Sequence, residues 1–270
     1  YSMSQKPTIG LLPCYLKLYD DIDPDWRRPL QAFADQVAES FGRHGVSIRR
    51  APICRVADEF EAAVEEFEAG DVHCIVTLHL AYSPSLESVD ALCETELPVM
   101  MLDTTMDAAF GFEVSPDRIM YNHGVHGVMD LASVLRRRGR RFEIVAGHCD
   151  EPSTMNRAVE VVRGALASRS LRGTRALRVG NAFSGMGDFA VREELLADRF
   201  GISVNQVDIE RLDRAVQAVH EREIAAELER DRERFDCDLP EAVHTRSVRV
   251  GLGLRRLLDD CDAGGMSVNF

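Results

Sequence analysis

Two histidines three residues apart, His123 and His126, are the side chains of this sequence best suited to chemistry. They belong to the segment Tyr-Asn-His-Gly-Val-His-Gly at residues 121–127, between a predicted strand and a predicted helix. Loops that leave a parallel sheet are where α/β proteins place their binding and catalytic groups. The side chain of Asn122 suits a helix N-cap, so we predict a helix that begins near Asn122 with both histidines in its first turn. The two imidazoles could hold a substrate, a metal ion or each other.

A metal site at these histidines needs further ligands, which for a hard divalent cation usually include a carboxylate. Asp130 is the nearest acid after them, while Asp103 and Asp107 precede them on a strand and its loop. A metal bound wholly by these residues is one hypothesis. Histidines that hydrogen-bond a polyhydroxylated ligand are the favoured alternative, and histidines that only cap the helix are the third.

Two further loops are predicted at the same edge of the sheet. The first follows the first strand and places Lys17 between two tyrosines, which offers an ammonium donor and two rings for stacking. Alternatively, Lys17 extends its charged end to water from a partly buried apolar loop. The second loop spans residues 79–85, where Ser83 or Ser85 is a plausible helix cap. Together the three loops predict a pocket lined with donors and rings, suited to a neutral sugar.

Two other segments argue against common activities. The glycine-rich segment at residues 180–187 fits neither the dinucleotide-binding pattern nor the P-loop, so we predict a tight loop that approaches a helix. Ser83 and Ser184 lack the surroundings of a nucleophile elbow, which disfavours a hydrolase with a Ser-His-Asp triad.

The elements that must position these residues alternate regularly along the first half of the chain. Short β-branched and aliphatic runs predict strands, and the longer segments between them have helical periodicity, as in residues 29–43 and 57–69. Such alternation predicts a parallel sheet covered on both faces, that is, a flavodoxin-like or Rossmann-like α/β fold. The predicted strands are residues 8–12, 46–49, 74–78, 99–102 and 142–146.

A domain boundary is predicted in the polar stretch 169–174, which follows a helix at residues 152–168. The first domain would then span residues 7–170, and a second α/β domain would span residues 174–270. Its last strand, near residues 266–270, runs into the chain end, so we expect this domain to be truncated and the chain to be part of a longer protein. Its predicted elements are strands at 176–179 and 203–207, a charged helix at 210–235 and a helix at 242–258.

Composition narrows the range of partners and compartments. The formal charge of −13 argues against nucleic acid, which is bound through clustered Lys and Arg. No apolar run is long enough to span a membrane. The seven cysteines include no C-x-x-C pair, which is typical of free thiols in a reducing compartment, so a cytoplasmic location is expected. Cys14 and Cys149 lie close to loops and are the two candidates for reactivity.

Several of these segments, in this order and at this spacing, resemble the L-arabinose isomerase and L-fucose isomerase superfamily. The resemblance covers nearly the whole chain from Thr8 and implies a flavodoxin-like first domain followed by part of the central domain. The motifs are Leu-Lys-Leu-Tyr-Asp at 16–20, Tyr-Ser-Pro at 82–84, Asn-His-Gly-Val-His-Gly at 122–127, Phe-Glu-Ile-Val-Ala-Gly-His at 142–148, Phe-Gly-Ile-Ser-Val-Asn at 200–205 and Ser-Val-Asn-Phe at 267–270.

The resemblance implies an aldose-ketose isomerase of carbohydrate metabolism. In such enzymes a divalent metal, typically manganese, binds two adjacent substrate oxygens while acidic residues move a proton between neighbouring carbons. The resemblance also implies that the metal-binding carboxylates and histidine lie in later domains, beyond Phe270. We therefore expect no catalytic residue and no metal ligand within this chain, which alone should be inactive.

Only the roles of the first domain carry over from the resemblance. His126 matches the family histidine that contacts substrate from a neighbouring subunit, which implies a homo-oligomer, a trimer or a hexamer. Arabinose isomerases carry Gln-His-Leu-Tyr where this chain has Leu-Lys-Leu-Tyr at 16–19, so the motif does not identify the sugar. The predicted substrate-binding residues are Lys17, Leu18, Tyr19, Tyr82, Ser83, Asn122, His123 and His126.

Three functional hypotheses follow from the sequence. The leading one is a fragment of a metal-dependent sugar isomerase whose first domain completes an active site at a subunit interface. The second is a non-catalytic sugar-binding α/β module. The third, with the least support, is a flavodoxin-like hydrolase or transferase that uses Asp103 and His126.

Overall fold

The structure is a computed structural model that describes residues 6–181, 184–185 and 191–268. The chain divides into two compact units, the first ending at Arg169 and the second beginning at Ser170. Each unit has its own parallel sheet and its own buried apolar core.

The first unit is built on a five-stranded parallel sheet with the order β2-β1-β3-β4-β5. This is the strand order of flavodoxin-like folds, so the predicted fold class is confirmed. All five predicted strands are present, with ends that differ from the prediction by no more than two residues. The strands are β1 (Thr8–Cys14), β2 (Ser47–Arg50), β3 (Cys74–His79), β4 (Val99–Asp103) and β5 (Glu143–Ala146).

Helices cover both faces of this sheet. Adjacent residues of a strand point to opposite faces, so Leu11 packs on one side of β1 and Leu12 on the other. Complete burial of one leucine side chain stabilises a fold by about 2 kcal/mol. The helices are α1 (Lys17–Ile22), α2 (Arg27–Arg43), α3 (Ala57–Ala69), α4 (Ser85–Glu94), α5 (Gly124–Arg137) and α6 (Pro152–Leu171), with short 3-10 helices at Pro24–Trp26 and Pro116–Tyr121.

Three local predictions for the first unit are wrong. Residues 17–22 form helix α1 instead of a loop, and the i,i+4 ion pair of Lys17 with Asp21 favours this helix. Helix α5 begins at Gly124 with His123 at its N-cap, so Asn122 does not cap it. Neither Ser83 nor Ser85 caps α4, whose N-cap is Pro84 without a side-chain hydrogen bond.

The second unit contains a three-stranded parallel sheet in the order β7-β6-β8. Its strands are β6 (Arg175–Val179), β7 (Ser203–Val207) and β8 (Gly265–Val268), and its helices are α7 (Glu193–Phe200), α8 (Ile209–Gln217), α9 (Glu221–Arg234) and α10 (Glu241–Asp260). Leu177, Val207 and Leu257 are buried in its main core cluster. The predicted strand at 266–270 is described only up to Val268, and the predicted loop at 180–187 only in part.

The prediction of a single charged helix at residues 210–235 is wrong. The chain breaks this segment into α8 and α9, because His220 and Glu223 form a capping box that starts a new helix. Val219, just before the cap, is buried with Ile224 and Val248, so the break also buries apolar surface. In the described parts of the chain, no helix is long and apolar enough to cross a membrane.

Candidate functional site

The predicted site residues of the first unit follow the carboxyl ends of strands in one parallel sheet. Those ends are Cys14 of β1, His79 of β3 and Asp103 of β4. In a parallel sheet they lie along one edge, where α/β proteins bind their ligands. Whether the predicted residues meet there depends on the contacts between their side chains.

Tyr19 and His123, which are far apart in sequence, meet through a hydrogen bond of 3.2 Å between Tyr19 Oη and His123 Nε2. His123 Nδ1 lies 2.7 Å from the carbonyl oxygen of Ile119, which can only accept, so Nδ1 carries the proton. Nε2 of the neutral ring is then an acceptor, and the Tyr19 hydroxyl donates to it. Burial lowers the pKa of His123, and nearby His126 lowers it further against the opposing effect of the Ile119 bond. The pair is therefore uncharged near neutral pH.

Aromatic rings surround Tyr19 on two further sides. The rings of Tyr15 and Trp26 lie 5.9 and 5.7 Å from the Tyr19 ring, both in edge-on geometry. Edge-on pairs of this kind stabilise ring orientation by about 1 kcal/mol each. Tyr15 is buried, and its pKa is raised to about 12, first by burial and then by the charge of Asp20. Tyr19 is thus held by rings as well as by His123.

Tyr82 and His126 form a second pair at this edge. Their ring centroids are 6.3 Å apart and the rings are nearly perpendicular, at 89°. Both side chains are exposed. Two exposed rings beside a donor and acceptor pair suit a ligand with both apolar faces and hydroxyl groups.

Ser83 was predicted to contact substrate, but it is buried and its hydroxyl is already bonded. Ser83 Oγ lies 2.6 Å from His79 Nδ1, and both side chains are buried. Burial lowers the pKa of His79 to about 4, only partly offset by the charge of Asp130. The pair is neutral and buried, so the structure places no free Ser83 hydroxyl at the site.

The start of α5 can lie against this buried pair because two of its residues, Gly124 and Gly127, have no side chain. A Cβ atom on Gly124 would lie 2.0 Å from the carbonyl oxygen of His79, and one on Gly127 would lie 2.6 Å from Ser83 Oγ. Only glycine fits at such distances. Sequence reasoning missed this role, although two glycines in one helical turn are a signal of close approach.

Asn122 was also predicted to contact substrate, but its amide is fully engaged. Its Oδ1 accepts from the backbone N–H of Asp107 at 2.8 Å, and its Nδ2 donates to Asp107 Oδ2 and to the Arg118 carbonyl. Arg118 also donates to both Asp107 oxygens, at 2.9 and 2.6 Å. Asn122 therefore fixes the segment before α5 instead of presenting its amide to a ligand.

Lys17 and Leu18 lie on the exposed surface of α1. Lys17 Nζ is 3.0 Å from both carboxylate oxygens of Asp21, so its charge is paired in water. It does not extend from a buried loop. Such exposed ion pairs contribute less than about 1 kcal/mol, so Lys17 can exchange Asp21 for another partner at little cost.

The described residues around the two histidines do not fit the divalent metal that the resemblance implies. Both nitrogens of His123 are engaged, and Arg118 and Asn122 occupy the oxygens of Asp107. Across the described residues, the one group with ligand atoms close enough for a cation is His148, Cys149 and Asp150, within 4.8 Å of one another. Burial and the charge of Asp150 raise the pKa of the Cys149 thiol, which disfavours the thiolate that a metal needs.

The two candidates for reactivity, Cys14 and Cys149, are both buried, which agrees with the prediction of plain free thiols. Burial raises the pKa of Cys14 well above its ordinary value, and it also raises that of Cys149. Reactive thiols need an accessible, stabilised thiolate.

No hydrogen bond or ion pair joins Asp103 to His126, both described residues, so the structure does not support the hydrolase hypothesis.

A cavity of about 750 Å³ opens elsewhere in the first unit, beside α2 and α3. None of the predicted site residues lines it. Its guanidinium groups are already paired: Arg55 contacts Asp20 and Glu59, and Arg28 contacts Asp25. Arg55 is therefore held by two carboxylates, while Arg28 can exchange Asp25 for another partner as Lys17 can exchange Asp21.

The first unit thus defines a flavodoxin-like α/β protein with a surface of rings, hydroxyl and imidazole groups at the carboxyl edge of its sheet. No family model matches the sequence. Among solved structures, a periplasmic solute-binding protein from Actinobacillus succinogenes 130z with bound D-allose covers 78% of this chain and 64% of its own, at 13% identity and a TM-score of 0.29. The fold assignment therefore rests on the strand order and register of this chain.

Curated relatives place the chain more narrowly. An L-arabinose isomerase of Nocardioides sp. is 28% identical over 238 residues, which cover 83% of this chain and 47% of the relative. The L-arabinose isomerase of Mycolicibacterium smegmatis is 30% identical over 73% of this chain and 40% of its own, and that of Erwinia tasmaniensis is 24% identical over 90% and 51%. The chain is thus related to L-arabinose isomerases, which confirms the resemblance, and it spans about half the length of these relatives.

Proposed function

We propose that this chain is part of a metal-dependent aldose-ketose isomerase and that its first unit supplies substrate contacts. The observation that carries the proposal is the similarity to L-arabinose isomerases over most of the chain. The geometry agrees with it, because the hydrogen bond between Tyr19 and His123 and the exposed rings of Tyr82 and His126 suit a neutral, polyhydroxylated ligand.

Each of these four residues has a distinct part in the proposed contact. The Tyr19 hydroxyl donates its hydrogen to His123, so its oxygen lone pairs are free to accept from a sugar hydroxyl. Tyr82 offers an exposed ring face on which the C–H groups of a sugar can pack. His126 is exposed beside it, and its ring nitrogens can exchange hydrogen bonds with sugar hydroxyls.

We further propose that the isomerase uses Mn²⁺ or a similar divalent cation that residues outside this chain bind. The metal supplies charge neutralisation at the substrate oxygens when it is bound. This chain contributes binding and orientation of the sugar and should not isomerise it alone. All seven cysteines are free, which agrees with a cytoplasmic location.

The test is isomerisation of a panel of aldoses with manganese by the full-length protein and its His126→Ala variant. We expect the variant to raise KM about tenfold, since one or two hydrogen bonds to substrate are lost. His44→Ala is the matched control. His44 caps the C-terminal end of α2 just before β2 begins, so it lies at the opposite end of the strands from the proposed site. Unchanged kinetics in His126→Ala would remove the role proposed for this residue.

A non-catalytic sugar-binding module is the second candidate. The observation that favours it is the pairing of a Tyr19–His123 hydrogen bond with the exposed rings of Tyr82 and His126, which can bind a sugar without a metal. Sugar binding by the 270-residue chain that a chelator leaves unchanged, together with a full-length protein inactive on every aldose, would establish it over the isomerase.

A further inference from the structure

We propose that His79 and Ser83 are positioning residues for the sugar site: their buried hydrogen bond sets where Tyr82 and His126 stand, although neither residue touches the ligand. The inference rests on the proposed role of Tyr82 and His126 in sugar binding. It assigns Ser83 a different role from the direct substrate contact predicted from its sequence position.

The hydrogen bond between His79 and Ser83 joins the end of β3 to the loop that carries Tyr82. His79 Nδ1 and Ser83 Oγ are 2.6 Å apart, and both residues are buried. The strand end is itself fixed, because the next backbone N–H, that of Leu80, donates to the Cys14 carbonyl of β1 at 2.9 Å. A buried hydrogen bond between two anchored groups leaves the loop little freedom.

The same pair also supports the first turn of α5. The hypothetical Cβ of Gly127 would lie 2.7 Å from His79 Nδ1 and 2.6 Å from Ser83 Oγ, so the helix backbone rests directly on the hydrogen-bonded atoms. Gly124 contacts the His79 carbonyl in the same way. Close packing of this kind transmits small displacements, because no gap remains to absorb them.

Tyr82 and His126 are each one residue away from this contact, Tyr82 beside Ser83 and His126 beside Gly127. No hydrogen bond holds the Tyr82 hydroxyl or the His126 ring to another described residue, and the two rings meet only edge-on at 6.3 Å. Their positions therefore depend on the backbone of the loop and of the helix. A second link ties the same two segments, since Asp130 of α5 accepts from the backbone N–H of Ser85 at 3.0 Å.

The first test observes the rings without any sugar. Two-dimensional NMR of the histidine and tyrosine rings should show that Ser83→Ala shifts or broadens the signals of His126 and Tyr82. Ser88→Ala is the matched control, because Ser88 is equally buried on α4 but bonds only to the Ser85 carbonyl. Ser83→Cys, which keeps the volume and weakens the hydrogen bond, serves as a milder variant if Ser83→Ala does not fold. Ring signals unmoved in both Ser83 variants would overturn the inference.

The second test is a double-mutant cycle in the full-length protein on the aldose with the highest turnover. Ser83→Ala should raise KM about two- to tenfold, the effect of one lost hydrogen bond, with kcat nearly unchanged. In a background that lacks both rings, with Tyr82→Ala and His126→Ala together, the same substitution should change KM by less than about twofold, because Ser83 acts through these two side chains. Effects that multiply fully would overturn the inference while leaving the isomerase proposal in place. A wild-type protein inactive on all aldoses, with ring signals that still move, would instead overturn the isomerase proposal while leaving the positioning of Tyr82 and His126 by the pair in place.

Discussion

At the scale of single residues, burial decided which predicted groups remain available to a ligand. Ser83 and Asn122 have the side chains expected of a sugar contact, yet their polar atoms are bonded within the protein. Tyr19 keeps an acceptor oxygen because His123 takes only its hydrogen. Whether a polar side chain can contact a ligand therefore depends on the partners that it has within the protein.

Burial of His79 makes the stability of the first unit depend on pH. Its pKa is about 4 in the folded protein and near 6.5 when exposed, so the folded state binds fewer protons between these values. The contribution of His79 to the free energy of unfolding is therefore fully present above about pH 6.5 and is lost as the pH falls toward about 4. We expect the wild type to lose about 2 kcal/mol more unfolding free energy than His79→Gln between about pH 7 and pH 4.5, measured by urea denaturation.

The control for this experiment is Thr77→Val, which alters a buried side chain of the same strand without removing a titrating group. It should keep the pH slope of the wild type even if its overall stability differs. A His79→Gln variant with the full wild-type slope would contradict the prediction.

At the scale of elements, the start of α5 matters more to the site than the helix as a whole. His123 at the N-cap and His126 in the first turn project where they do because Gly124 allows the helix to approach β3. Asn122 fixes the segment before the helix through Asp107. The position of the first turn is therefore set by contacts on both sides of it.

Substitution of glycine by alanine should have opposite effects in two helices of the first unit. Gly124→Ala places a Cβ 2.0 Å from a backbone oxygen, so strand or helix must shift, at an expected cost above about 2 kcal/mol. Gly164, inside α6, has open space around its Cβ position, and Gly164→Ala should stabilise the fold by about 0.5–1 kcal/mol. Thermal and urea unfolding measure both effects. Equal changes in the two variants would show that the close contact at Gly124 does not constrain α5.

At the scale of the whole molecule, large apolar side chains are exposed on segments that follow the strand ends of the first unit. Phe112, on the segment between β4 and α5, is fully exposed, and Leu18, Tyr82, Phe110 and Ile119 are exposed on this and the other strand-end segments. Exposed apolar side chains mark a protein-binding surface where they form one contiguous patch. We propose that these side chains form such a patch and that a second copy of the chain covers it.

Charge introduced at this surface should weaken association of the full-length protein. We expect Phe112→Asp to lower the mass measured by analytical ultracentrifugation, because association would then bury an unpaired carboxylate. Phe235→Asp, at an exposed phenylalanine of the second unit, is the matched control and should leave the mass unchanged. A wild-type protein that is monomeric at micromolar concentration would contradict the proposed oligomer.

Much of the fold was predictable because hydrophobic periodicity is a local property. The strands of both sheets and helices such as α3 were located closely, since buried strands and apolar helical stripes leave direct patterns in the sequence. The division of residues 210–235 was missed, because the charged surface pattern continues across the break and only the buried Val219 and the His220 cap reveal it.

Local patterns in the sequence predict the alternation of strands and helices, the polar and aromatic residues that follow the strand ends, and the relationship to sugar isomerases. The three-dimensional contacts show what these patterns do not: Tyr19 meets His123, Ser83 is buried against His79, and the thiol of Cys14 is buried. The physical reason is that hydrogen bonding and burial depend on partners distant in sequence. The parallel sheet brings helix α1, which carries Tyr19, and the start of α5, which carries His123, to one edge, and no short stretch of sequence shows that these two residues meet.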